Sequence, residues 1–261
     1  MSYPTQSEVV AQIEKLEQFI NDWQMIPATG ALRNQVLLAL LSKTLTVARA
    51  TCALVEADFP AEAFGLSRTL IDIFFSVRYI SNNHTEERAT TFAEYRDKIR
   101  MEFLDVHNKH FPNKVLNAVD TLGIETVQTA EKFKSRGHWT GHGGQARMMA
   151  LEPDQFEQNE LGEPLTGAVD YDAYYFWTSH FVHGTVKALS AHGIPPGDVF
   201  KVRCHPERES EYGRLALFNV LVYLNKTFIQ ACRGMREEQP EEILQETFKM
   251  MERCGRDTAK P

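Results

Sequence analysis

Cysteine is scarce in this chain: Cys52, Cys204, Cys232 and Cys254 are the only four, and no two have Cys-x-x-Cys spacing. An even count can pair in a secreted protein, but the opening Met-Ser-Tyr-Pro-Thr-Gln-Ser-Glu is polar and does not read as a signal peptide. Reduced thiols and a soluble, cytoplasmic protein are the expectation. A basic excess is also missing. Lys plus Arg is 28 against 35 Asp plus Glu, a net charge of −7. A protein that coats nucleic acid carries the opposite balance, so any nucleic-acid contact has to be a local patch, and a membrane partner is not expected. The longest apolar run, Val36-Leu37-Leu38-Ala39-Leu40-Leu41, is too short to span a bilayer. No phosphate loop of the Walker type, no dinucleotide fingerprint, no internal repeat and no low-complexity tract occurs. No stretch alternates long enough for a confident strand, with Val199–Val202 the one short extended candidate.

What the sequence does have is helical spacing. Thr5 and Glu8 stand as a capping box, and Val9, Ile13, Leu16, Ile20 and Trp23 then form one apolar stripe. Pro27 and Gly30 end that element. Further helices are predicted over about 31–58, 60–81 and 84–111, with Phe92, Tyr95, Ile99, Phe103 and Val106 striping the last, and Pro112 stopping it. Short helices follow near 114–122 and 125–134. Four glycines within residues 137–144 forbid a helix there. Residues 153–168 and 194–207 read as loop. Helices at 171–191, with His192-Gly193 as its stop, 209–233 and 240–254 complete an all-α bundle of about eight to nine helices. The chain is expected to form a single helical domain over 1–261.

Several polar residues sit where a helical core does not want them. Arg68 and Asp72 lie four apart in a helix apolar on several sides. They share a face and can pair, either as a structural tie or as an arginine held toward an anionic group. Tyr175, Ser179 and His183 form a polar ridge among aromatics. Ser179 and His183 are spaced to hydrogen-bond, yet no nucleophile elbow accompanies them, and a satisfied core histidine is the plainer reading. His138 and His142 bracket Trp139-Thr140-Gly141. Two imidazoles at that spacing can share a metal on a helix, but the glycines spoil the geometry and no Glu follows His138, so no metal is expected. Lys132, Lys134, Arg136 and Arg147 make this the strongest basic cluster, fit to cradle phosphate or simply to be a solvated loop.

Arg68-Thr69-Leu70-Ile71-Asp72 with Tyr79-Ile80, then Phe92-Ala93-Glu94-Tyr95-Arg96, then Trp139, then Ser179-His180-Phe181-Val182-His183 together resemble a widespread bacterial family of helical proteins of unknown function. The family pattern usually has Glu where this chain has Asp72. The likeness covers about residues 60–190, with the helices over 5–58 and 209–255 packed on that core. It implies a bundle in which Arg68, Asp72, Ser179 and His183 face one another. It is similar, more distantly, to the nucleotide-binding and RNA-cleaving helical proteins of toxin and antiphage systems. Those carry an Arg four to six residues before a His, and no arginine stands there before His183.

The resulting expectation is a pocket for a phosphate-bearing ligand, RNA or a nucleotide, with no cofactor. Arg68 would stabilise anionic charge and His183 would serve as acid or base, beside Asp72 and Ser179. Tyr95, Arg96, Arg136, Trp139 and Tyr175 are the candidate ligand contacts. A non-enzymatic interaction module is the alternative, and a metal-dependent hydrolase using His138 and His142 the third reading. Leu215, Phe218, Leu221, Val222 and Leu224 put apolar atoms on more than one side of a single helix, which predicts a homodimer.

Overall fold

The computed structural model describes residues 3–23, 31–141, 145–158, 161–182, 211–236 and 241–256. His142, His183, the stop at His192-Gly193, the loop over 194–207 and the candidate strand Val199–Val202 lie outside the described residues. Helix makes up 81% of those described, with no strand among them. The expected all-α bundle is therefore what the chain forms. Ten α-helices are described: α1 Gln6–Trp23, α2 Leu32–Glu56, α3 Pro60–Asn82, α4 Thr85–His110, α5 Ala118–Leu122, α6 Ile124–Glu131, α7 Gln145–Leu151, α8 Phe176–Val182, α9 Glu211–Met235 and α10 Glu241–Arg256. A π-helical turn, Asp170–Tyr175, leads into α8.

Local chemistry sets the ends. The Thr5 backbone amide and hydroxyl both donate to Glu8 Oε2 at 2.8 Å, and Glu8 N donates to Thr5 Oγ1 at 3.3 Å. That backbone bond, then Arg253, lowers the Glu8 carboxyl to about 2. The stripe of α1 faces inward, with Val9, Ile13, Leu16 and Ile20 buried.

The centre of the bundle is α3, packed against α9, α2 and α8. Leu70, Ile71, Phe75, Val77 and Ile80 on it are fully enclosed. Much of the apolar surface of α9 that predicts a second subunit is used within the chain. Leu221, Val222 and Leu224 are buried, Leu215 and Phe218 are partly buried against the core, and α9 packs on both α3 and α2. Helices α2 and α9 are long and apolar enough to cross a membrane by composition, and 56% and 78% of those windows lie buried in the bundle, as in core helices generally.

The stripe of α4 is covered over only part of its length. Phe92 meets Trp139 edge-on at 5.2 Å and Tyr95 meets Phe133 at 5.5 Å. Ile99, Phe103 and Val106 are exposed. In that half α4 turns Lys98 and Leu104 inward instead, and α6 packs along it.

The loop after α7 is stapled to α3. Arg78 donates from Nη1 to the carbonyls of Met149 and Ala150 at 3.1 and 3.3 Å, and from Nη2 to those of Glu152 and Leu165 at 2.7 and 3.2 Å. Its Nε lies 3.3 Å from Asp154 Oδ2. Asn82 adds bonds to Pro153 and Gln155, and Arg88 to Glu152.

Candidate functional site

Arg68 and Asp72 reach the surface at a cleft of about 450 Å³, within the range of small-molecule sites. Its wall also includes His138, Arg147, Tyr171 and Tyr175. One turn of α3 after Asp72, Ser76 continues the same wall.

The arginine is held by side chains on two elements. Arg68 Nη2 donates to the Tyr175 hydroxyl at 2.6 Å. Its guanidinium carbon lies 4.6 Å from the centre of the Tyr175 ring, a cation–π contact. Nε lies 3.7 Å from Asp72 Oδ2, a loose pair. Burial raises the Asp72 carboxyl above its ordinary value, and the Arg68 charge and the Tyr175 hydroxyl only partly offset that. Burial and the Asp72 charge raise the Tyr175 phenol.

The tyrosines owe their aim to the π-helical turn, a distortion found often at functional sites. Its first residue, Asp170, is buried and accepts from the Tyr223 hydroxyl at 2.9 Å and from Lys226 Nζ at 2.6 Å. With that end fixed on α9, Tyr171 and Tyr175 stack at 5.0 Å and 16°. Phe75 backs both, with centroids at 6.5 and 6.0 Å.

His138 stands on the turn after α6. Its Nδ1 accepts from the Thr140 amide at 3.3 Å, and the Thr140 hydroxyl is 3.1 Å away. Burial lowers its pKa, so the ring is neutral at pH 7 with its proton on Nε2. Arg147, on α7, is exposed and makes no ion pair among the described residues.

The cleft thus gathers Arg68, Asp72 and Tyr175 from the sequence candidates. The others lie elsewhere. The Ser179 hydroxyl donates to the Tyr175 carbonyl at 2.6 Å, within its own helix, and Ser179 does not line the cleft. Trp139 is a core residue, edge-on to Tyr79 and Phe92. Its outer side joins Arg136, Arg88 and His84 in a second, shallower hollow. Tyr95 packs against Phe133 and lies 6.1 Å from the His138 ring. Arg96 is exposed on α4 beside Asp97. Among the described residues no group of three His, Cys, Asp or Glu gathers as a metal set.

His138, Arg147, Tyr171 and Ser76 line the cleft but are not among the sequence candidates for this site. His138 was singled out only as half of a metal pair, and Arg147 only as part of a basic cluster. Both reach the cleft through tertiary packing, α7 lying against α3, and no local pattern announces that closure.

No curated protein and no solved structure matches the chain. Residues 34–198 match the family of unknown function DUF5677, a span from α2 to beyond α8 that includes every residue of the cleft. The chain belongs to that family.

Proposed function

We propose that the cleft binds a phosphate-bearing ligand, a nucleotide or an unpaired stretch of RNA. The observation that carries this reading is the pairing of two cations with a stacked aromatic wall. Arg147 has no ion-pair partner among the described residues, and Arg68 is held toward the opening by Tyr175 and Asp72. Guanidinium groups suit phosphate oxygens, and the face of a tyrosine suits a base. A net charge of −7 confines such binding to a patch of this kind. Asp72 and the Nε2–H of His138 are the proton-transfer groups of this reading, should the bound phosphodiester be cleaved.

The test is titration with ATP, GTP and a short unstructured RNA, followed by polarisation or calorimetry, with an RNA-cleavage assay alongside. Arg147→Glu changes an exposed residue and should melt like the parent while losing about tenfold or more in affinity. His138→Gln and His183→Gln, assayed side by side, separate the cleft imidazole from the one the family resemblance points to. A parent protein that binds neither nucleotide nor RNA, with large losses of melting temperature for Arg68→Lys, would leave the cluster a structural tie and favour a non-enzymatic interaction module.

A further inference from the structure

On α4 the apolar stripe continues past the point where the bundle stops covering it. Ile99, Phe103 and Val106 are 54%, 74% and 55% exposed. They stand four and three apart, so they project from one side of the helix. Phe111 and Val115, just beyond the helix, are 54% and 64% exposed. At roughly 200 Å² for a large apolar side chain, the three on α4 leave on the order of 350 Å² of apolar surface open. A patch of this size is comparable to the largest on a typical monomer, and such a patch is often functional. The element is rigid because the other half of the same stripe is anchored on Trp139 and Phe133.

We infer that this face pairs with the same face of a second copy, helix against antiparallel helix. Three observations favour that occupant. The spacing is the heptad seam of a two-helix contact, with Arg96, Ile99, Phe103, Val106 and His110 as its core positions. The flanking charges complement one another when one copy is reversed. With Phe103 packed on the partner's Val106, Glu102, which pairs with Lys98 of its own helix at 2.7 Å, also falls beside the partner's Lys109, once on either side of the twofold axis. Two such faces bury roughly 700 Å² together, the size of a weak, transient contact and not of an obligate one. A dimer of modest affinity follows, formed through α4.

The experiment is light scattering on the full chain from micromolar to millimolar concentration. The expected result is twice the 29.8 kDa chain mass. Phe103→Glu should raise the dissociation constant about tenfold or more, with an unchanged melt, because the side chain touches little within its own chain. Glu102→Lys and Lys109→Glu should each weaken the dimer by placing like charges together, and the double variant should recover at least part of the loss. A parent that scatters as a monomer throughout overturns the inference, as does a Phe103→Glu variant that dimerises like the parent. A double variant no tighter than either single overturns the antiparallel arrangement.

Discussion

Arg78→Met should be among the most damaging single substitutions in the described chain, although it lies away from the candidate cleft. Arg78 is 3% exposed and Asp154 is 2% exposed. Removing the guanidinium leaves Asp154 with the Gln230 amide at 2.9 Å and the Phe156 backbone amide at 2.8 Å, but with no cation. Stranding a buried charge in this way costs about 3–5 kcal/mol. The carbonyls of Met149, Ala150, Glu152 and Leu165 lose a donor in the same step. Those in the loop can recover hydrogen bonds from water once it lifts, so a total near 4 kcal/mol is reasonable. For a chain of this size that is a fall of roughly 10 °C in melting temperature. The assay is urea and thermal unfolding by circular dichroism, with limited proteolysis as a local readout. New cleavage should appear between residues 150 and 170, which the arginine ties to α3. Arg78→Met with Asp154→Leu should be less damaging than Arg78→Met alone, since the second change removes the stranded charge. A loss below about 1 kcal/mol for the single variant would refute the reasoning, because it would mean that Asp154 is solvated without its partner.

The remaining expectations concern a titration and a packing contact. Asp72 has its folded pKa raised, chiefly by burial. The unfolded chain therefore ionises first as pH climbs, and the group costs stability from about pH 3.8 upward. Asp72→Asn should melt no lower than the parent at pH 7, and the parent should gain on the variant as pH falls back below the raised pKa. A parent that loses ground on acidification relative to the variant would contradict the burial argument. Gly234 lies in α9 where an added Cβ would come within 2.8 Å of Leu37 Cδ1 and of Ser81 Cβ. Gly234→Ala should lower stability by about 1–3 kcal/mol, read by denaturant midpoint, despite the better helix propensity of alanine. A variant at least as stable as the parent would show that α2, α3 and α9 can part at no cost.

What could be read from the sequence was what neighbouring residues decide among themselves. The Thr5–Glu8 box forms as spaced, and the stripe of α1 points inward, because both depend on residues within a turn or two. The stripe of α4 was equally legible as a period. Whether anything covers it was not, since that depends on how far α6 and Trp139 extend along it. The staple from Arg78 was missed for a related reason. In the sequence Arg78 and Arg68 are two arginines in one apolar helix, and only Arg68 has an acid four residues on. The acceptors of Arg78 are backbone carbonyls some seventy or more residues away, and a carbonyl carries no sequence signature. His138 entered the cleft by the same kind of long-range closure.

The contrast between those two arginines bears on how α3 can serve a site at all. Arg78 is fixed by carbonyls that belong to the main chain and cannot rotate away, so that end of the helix acts as a rivet. The described partners of Arg68 are the Tyr175 hydroxyl and ring and the loosely placed Asp72 carboxylate. Each of these is a side chain that can swing, and each borders the open cleft. On the function proposed for the cleft, a ligand phosphate would share the Arg68 guanidinium with these side chains. The two positions should consequently respond to different measurements: Arg78 chiefly to unfolding, and Arg68 chiefly to ligand affinity, even though they lie less than three turns apart on one helix.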